Sequence, residues 1–216
     1  MTRLILLRHG ESTTNLSGIG TGQTDVPLTE KGHRQAHLAA KYLLEHEHID
    51  AVYSSDLQRT VNTALPTAKA LGLEIKTYAA LREMDIGKWV GLSKEERTKL
   101  YPEESKTFAE NFSTLKFPDG EYVPDVYDRV TECVRKIAEE NHGKTVLIAT
   151  HAGAIRVFIA FAQGYSRLES GIIKGCDNAA INIFGWEDGK AFPIELNLTS
   201  HLADQSSAVA TEEERI

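Results

Sequence analysis

The chain contains little cysteine and no long uninterrupted apolar run. Its 216 residues include only Cys133 and Cys176, and no segment has the pattern of a signal peptide. Two cysteines are too few for the disulfide framework of a small secreted protein, and without a long apolar run no membrane-spanning helix is expected. We therefore expect a cytoplasmic protein with reduced thiols.

Positive charge is also scarce. The 24 Lys and Arg residues are outnumbered by 31 Asp and Glu residues, so the formal net charge is −7 and the pI is near 5.6. A protein of this charge is repelled by nucleic acids and by anionic membranes, and neither is an expected partner. Any anion-binding site should be a local pocket that takes a small molecule.

Short apolar runs alternate with segments of helical periodicity, and no internal repeat or linker separates them. This pattern is typical of a mostly parallel sheet covered by helices on both faces. We predict an α/β protein, a three-layer α/β/α sandwich, with strands near 4–7, 51–53 and 145–150, helices near 29–45, 59–71 and 124–140, and a hairpin at 182–186 and 191–196. Pro66 is expected to kink or shorten the second helix. One domain should span 1–203, with a small helical cap near 86–123 and a flexible tail at 204–216.

Two apolar runs end in histidine. The first run, at 4–7, leads into Arg8-His9-Gly10, and the second, at 145–150, leads into His151. A strand that delivers Arg and His at its carboxyl end can hold an anion against a nucleophile. His151 should lie at a helix start, where the backbone N–H groups favour an anion, and we infer that the anion is phosphate.

A third segment supplies another cation. Ser55 and Gln58 have the spacing of a capping box, which would place Arg59 in the first turn of the next helix. An arginine presents a fork of donors that matches phosphate oxygens, so Arg8 and Arg59 together could clamp one phosphoryl group.

Two carboxylates, Glu83 and Asp85, stand among apolar residues and glycines. Either could serve as a proton donor, because burial raises the pKa of a carboxyl while neighbouring cations lower it. Spacing alone does not choose between them.

In combination these motifs resemble the histidine phosphatase superfamily, also called the phosphoglycerate mutase-like family. The resemblance runs from Leu4 to about Trp186 and includes the segments 6–12, 54–60 and 150–153. It implies a phosphoglycerate mutase-like fold with His9 as the nucleophile that becomes phosphorylated and Glu83 as the acid and base. It also implies a phosphate and substrate site formed by Arg8, Asn15, Thr21, Gly22, Gln23, Arg59, His151 and Ala152.

The implied reaction needs neither a metal nor another cofactor. His9 attacks phosphorus while Glu83 protonates the leaving alkoxide, and the cations Arg8, Arg59 and His151 stabilise the equatorial oxygens. Water, or a second substrate hydroxyl, then attacks the phosphohistidine. The remaining histidines do not have the spacing of a metal site, and we expect them at the surface.

The family includes both phosphatases and mutases. Between residues 93 and 122 the chain has five basic and seven acidic residues, so the cap has no second cluster of cations to hold a bisphosphorylated intermediate. In glycolytic mutases the glutamate is also followed by Arg-His-Tyr, whereas residues 84–86 of this chain are Met-Asp-Ile. Both departures favour hydrolysis of a small phosphorylated metabolite.

Three narrower alternatives follow from the resemblance. The segment 118–121 is similar to the Gly-Glu-Ser stretch of ribazole-phosphate and broad-specificity phosphatases, but Tyr122 replaces the serine. A cofactor-dependent phosphoglycerate mutase would transfer phosphate and release little of it. A non-catalytic phosphoprotein-binding module is the third alternative, although every position expected to perform chemistry holds a competent residue.

Overall fold

A mixed six-stranded sheet runs through the protein, for which a computed structural model describes residues 1–203. The tail that the sequence predicts from residue 204 lies outside the described residues. The strands are β1 (Thr2–Arg8), β2 (Ala51–Ser54), β3 (Ile75–Thr77), β4 (Thr145–Thr150), β5 (Ile181–Glu187) and β6 (Lys190–Leu198), in the spatial order β3-β2-β4-β1-β5-β6. Strands β1 to β4 are parallel to one another, whereas β5 is antiparallel to both of its neighbours, β1 and β6. The predicted mostly parallel sheet and its hairpin are confirmed.

The described residues form seven α-helices. They are α1 (Thr13–Ser17), α2 (Glu30–His46), α3 (Gln58–Leu71), α4 (Lys94–Leu100), α5 (Pro102–Glu110), α6 (Val123–Glu140) and α7 (Ala152–Ala162). Between residues 1 and 203, no helix combines the length and apolar character needed to cross a membrane. Helix α3 continues through Pro66 to Leu71, so the predicted shortening does not occur. The sequence predicted neither α1, which is five residues long, nor β3, which is a three-residue edge strand.

The two faces of the sheet bury separate apolar clusters. Successive side chains of a strand point to opposite faces, and β1 shows this directly. Leu4 and Leu6 join a cluster with α6 and α7, whereas Ile5 and Leu7 join one with residues of α2 and α3. All four side chains are completely buried, and each contributes about 1.5–3 kcal/mol through the hydrophobic effect. The three-layer sandwich is therefore confirmed.

The segment predicted to form the cap is helical. It contains α4, α5 and two short 3-10 helices, at Gly87–Trp89 and Phe112–Thr114. The Trp89 ring is buried edge-on against Phe117, 5.3 Å between ring centroids, and also contacts Phe108. The rings of Trp89 and Phe117 thus pack inside the cap, whereas Phe108 is 43% exposed. The Gly91 N–H donates to the carbonyl of Gly20 at 3.0 Å, so the cap contacts the loop that follows α1.

The loop after β1 lies directly against the start of α2. A Cβ atom on Gly10 would collide with the Gly32 carbonyl, and one on Gly32 would collide with the Glu11 carbonyl. Two glycines therefore allow backbone to pack on backbone at this point. The Thr29 side chain caps α2 by accepting a hydrogen bond from Gly32 N at 3.0 Å, which fixes where the helix begins.

Candidate active site

The two predicted histidines meet at one edge of the sheet. Arg8 at the end of β1 pairs in register with Thr150 at the end of β4, so His9 and His151 follow on neighbouring parallel strands. Their ring centroids are 5.2 Å apart, with an angle of 62° between the ring planes. The carboxyl ends of adjacent parallel strands thus bring together residues that are far apart in the chain.

His9 is held as a neutral imidazole. Its Nδ1 lies 2.7 Å from the Gly10 carbonyl, which can only accept, so Nδ1 carries the proton and Nε2 keeps its lone pair. Burial is the largest of the effects that lower the pKa of His9 to about 3, and the positive charges of Arg59 and Arg8 act in the same direction. His9 is 5% exposed, so the residue is largely shielded from solvent.

Both predicted arginines are anchored by backbone carbonyls. Arg59 is 2% exposed and donates to the carbonyls of Gly22 at 2.9 Å and Thr24 at 2.8 Å. Arg8 donates through Nη1 to the carbonyl of Cys176 at 2.5 Å, and its buried Nε has no partner within the described part of the chain. Neither guanidinium makes an ion pair among residues 1–203, so both have donors for an anion.

The structure corrects the role of Ser55. The N-cap of α3 is Leu57, with no side-chain cap, so the capping box predicted for Ser55 and Gln58 is wrong. The Ser55 hydroxyl instead lies 2.8 Å from Nε2 of His151 and 2.7 Å from the hydroxyl of Thr60. Spacing could not show this, because the partner of Ser55 lies 96 residues away.

His151 is the N-cap of α7, as its position predicted. It is completely buried, and its Nδ1 is without a hydrogen-bond partner in residues 1–203. Burial lowers the pKa of His151 well below its usual value, and His9, Arg59, Arg129 and Arg8 add to the effect. In the free protein His151 is therefore neutral, and the prediction that it acts as a cation requires the charge of a bound phosphoryl group to restore its proton.

The structure separates the two candidate acids. Glu83 Oε1 accepts from Gly153 N at 3.1 Å and from Met84 N at 2.9 Å, which places the carboxylate at the start of α7 beside His151. A Cβ on Gly153 would collide with the same oxygen. The Asp85 carboxylate turns away and accepts from Gly87 N at 2.9 Å. The geometry favours Glu83 as the acid.

The predicted substrate loop is a turn fastened to these residues. Gln23 donates to the carbonyl of Glu83 at 3.1 Å, and the Gly22 carbonyl points at Arg59. The Thr21 hydroxyl donates to the Thr14 hydroxyl. These contacts hold the loop, and substrate contact by Thr21, Gly22 and Gln23 stays a prediction.

Asn15 and Ala152 lie near the predicted site, and each has a different place in the secondary structure. Asn15 Oδ1 accepts from Ser12 N at 2.9 Å and so caps α1. Ala152 is the first residue of α7, whose amino end faces the site through Gly153. Their contact with phosphate stays a prediction.

Sequence reasoning missed two side chains that hold the backbone around His9. The Thr63 hydroxyl accepts from Gly10 N at 3.0 Å and donates to the Arg59 carbonyl at 2.7 Å, which joins the loop after β1 to helix α3. Asn178 Nδ2 donates to the His9 carbonyl at 3.1 Å. Thr63 stands four residues after Arg59 on one helix, and this spacing was a usable signal. Asn178 had none.

Acid should destabilise the protein through the buried histidines. The folded pKa of His9 is about 3 and the unfolded value is near 6.5, so between these pH values the unfolded chain binds a proton that the native chain does not. Stability from this group is complete above pH 6.5 and declines as the pH falls. Below about pH 6 the slope approaches roughly 1.4 kcal/mol per pH unit for each such histidine.

Urea unfolding between pH 7.5 and 5 measures this dependence. We expect His9→Gln to have a flatter curve than the wild type by about that slope. Parallel curves for the two proteins would contradict the assignment of a neutral, buried His9.

Comparison with known proteins finds similar phosphatases. A phosphoserine phosphatase 1 from Hydrogenobacter thermophilus is 35% identical over 204 residues, which cover 94% of this chain and 96% of the relative. A metal-independent phosphoserine phosphatase from Arabidopsis thaliana is 32% identical over 206 residues, covering 94% of this chain and 84% of the relative.

A solved structure is also similar. It is a mutant phosphoserine phosphatase from Entamoeba histolytica in complex with phosphoserine, with a TM-score of 0.82 and 26% identity over 94% of this chain and 100% of that one. The family profile described as histidine phosphatase superfamily (branch 1) matches residues 4–199. The chain therefore belongs to the histidine phosphatase superfamily.

Proposed function

We propose that this enzyme is a phosphomonoester phosphatase that transfers the phosphoryl group of a small metabolite to His9 and then to water. The observation that carries the proposal is the state of His9: a neutral imidazole with a free Nε2, buried beside the guanidinium groups of Arg8 and Arg59. Phosphoserine is the first substrate to test, because two relatives with substantial identity are named phosphoserine phosphatases.

In the first step, His9 Nε2 attacks phosphorus and the ester oxygen leaves on the opposite side. Arg8 and Arg59 stabilise the equatorial oxygens, and their anchors keep them in place while charge develops. The alkoxide takes a proton from Glu83, whose carboxyl group lies at the amino end of α7. The products are phospho-His9 and the free alcohol.

In the second step, Glu83 accepts a proton from water, and the water oxygen attacks phospho-His9. The P–N bond breaks, His9 Nε2 regains its lone pair, and orthophosphate leaves. The hydrogen bond from His9 Nδ1 to the Gly10 carbonyl holds the ring orientation through both steps. Because the proton on Nδ1 stays in place, Nε2 is again the unprotonated nitrogen when the next cycle begins.

Metal independence belongs to this proposal. The guanidinium groups of Arg8 and Arg59 supply the positive charge that a metal ion gives in other phosphatases. Within residues 1–203 no three His, Cys, Asp or Glu side chains are grouped so that they could hold a metal ion. We also propose that residues 1–203 act as one catalytic domain, with the cap at 86–123, in the cytoplasm.

A phosphoglycerate mutase is the alternative that the cap argues against. Several cap cations already have partners: Lys88 pairs with Asp119 at 2.8 Å, and Lys116 donates to the Gly120 carbonyl at 2.6 Å. Arg97 lies over the Trp89 ring at 5.1 Å. A bisphosphorylated intermediate would need free positive charge above the first phosphate.

The test is phosphate release from a panel of phosphomonoesters in excess chelator, including phosphoserine and 3-phosphoglycerate. We expect release without loss of rate on chelation, fastest for a small alkyl phosphate, and no isomerisation of 3-phosphoglycerate. Isomerisation with little release would identify a mutase. No turnover of any ester, together with tight binding of a phosphopeptide, would favour the phosphoprotein-binding module.

A further inference from the structure

Arg129, on α6, spreads its guanidinium over the backbone that carries Glu83. Nη1 donates to the carbonyls of Ala80 and Arg82, both at 2.9 Å, and Nη2 donates to the carbonyl of Glu83 at 2.9 Å. One side chain thus binds three carbonyls of a four-residue segment. The Arg129 side chain is only 20% exposed, so these hydrogen bonds face little competition from water.

Glu121 completes the arrangement from the cap. Its two oxygens accept from Arg129 Nε at 2.7 Å and Nη2 at 2.9 Å, and Oε2 also accepts from Asp85 N at 2.8 Å. Burial raises the pKa of Glu121, but its hydrogen bonds with Arg129 and Asp85 N outweigh burial and lower it. The pair is therefore charged at neutral pH, as a bidentate pair with fixed geometry.

The backbone of Glu83 is consequently held on both sides. Arg129 binds the carbonyls at and before Glu83, and Glu121 binds the amide of Asp85, two residues further on. Gly87 and Gly120 let the two loops touch, because a Cβ on either would collide with backbone of the other. We propose that Arg129 and Glu121 are positioning residues that aim the Glu83 carboxyl at the leaving oxygen, an inference that rests on the proposed role of Glu83 as acid.

This role differs from ordinary structural support in one measurable way. A displaced acid cannot protonate the leaving group, and this matters only for esters whose alkoxide is a poor leaving group. A nitrophenolate leaves without protonation. Loss of Arg129 should therefore act on alkyl phosphates and spare aryl phosphates, whereas general loosening of the site would slow both.

The experiment measures kcat/KM of Arg129→Met and Arg129→Lys on phosphoserine and on p-nitrophenyl phosphate. For Arg129→Met we expect a loss of about 10- to 100-fold on phosphoserine and less than about 3-fold on p-nitrophenyl phosphate. Arg129 binds five acceptor atoms, namely three backbone carbonyls and the two Glu121 oxygens. Lysine can reach only some of them, so Arg129→Lys should show the same pattern with a smaller loss. If wild-type phosphoserine turnover is slow, glycerol phosphate serves as the alkyl ester.

The matched control is Arg135→Met on the same helix. The Arg135 side chain is 41% exposed, and within residues 1–203 it pairs only with Glu132 and Glu139 of α6, so this variant should match the wild type on both esters. Equal losses on both esters in both Arg129 variants, or no loss, would overturn the proposal.

The positioning role of Arg129 and Glu121 can be refuted separately from the proposed function of the enzyme. An inactive wild type would refute the proposed function and this inference with it. A Glu83→Gln variant that shows the leaving-group pattern while Arg129→Met does not would refute the positioning role alone.

Discussion

Replacing His9 with alanine is expected to abolish turnover, with kcat reduced on the order of 10⁴-fold or more. No other group can take over the attack. His151 is completely buried, and its Nε2 is engaged with the Ser55 hydroxyl at 2.8 Å. The measurement is phosphate release from phosphoserine, together with acid-labile labelling of the protein by a phosphorus-32 ester.

The wild type should carry the acid-labile label and His9→Ala should not. His142→Ala is the matched control, because His142 is exposed at the turn between α6 and β4. Substantial activity or labelling in His9→Ala would show that His9 is not the nucleophile.

The second large effect is expected from Glu83→Gln. Glutamine keeps an oxygen that can accept from Gly153 N, so the backbone arrangement should persist while the proton is lost. We expect kcat/KM to fall about 10²- to 10⁴-fold on an alkyl phosphate, and much less on p-nitrophenyl phosphate. The measurement is kcat/KM across a series of esters ordered by the pKa of the leaving alcohol.

Asp85→Asn provides the comparison for this series. Its carboxylate binds Gly87 N rather than facing α7, so we expect no dependence on the leaving group in that variant. A leaving-group dependence that appears in Asp85→Asn and not in Glu83→Gln would reverse the two roles. Equal losses on all esters for Glu83→Gln would mean that it is not the acid.

Much of the fold was predictable because local pattern and burial agree. Successive side chains of the run at 4–7 face two different cores, and the apolar stripe of α6 faces one of them. The spacing of apolar residues therefore predicts a strand in the first case and a helix in the second. Strand β3 was missed because only three residues form it, with two of them exposed at the edge. Its pairing with β2, rather than any apolar pattern, makes it a strand.

The sequence predicted which residues come together at this edge of the sheet, but not the side chains that support them. Arg8, His9 and His151 stand at strand ends, where a motif can be read. Ser55 illustrates the limit, because a local cap was the reasonable interpretation and a contact across 96 residues was the actual one. Arg129 likewise looks like any polar residue on a helix, since its partners are carbonyls that every residue possesses.

The contact between Gly10 and Gly32 has a consequence for how this enzyme tolerates change. Helix α2 contributes no side chain to the proposed chemistry, yet its backbone touches the loop that follows His9, the proposed nucleophile. A larger residue on its buried face, for example at Ala36 or Ala39, would push the helix and shift His9 with it. Helix α2 is therefore a place where inactivating mutations arise far from the substrate, and where a variant can stay folded yet lose its catalytic alignment.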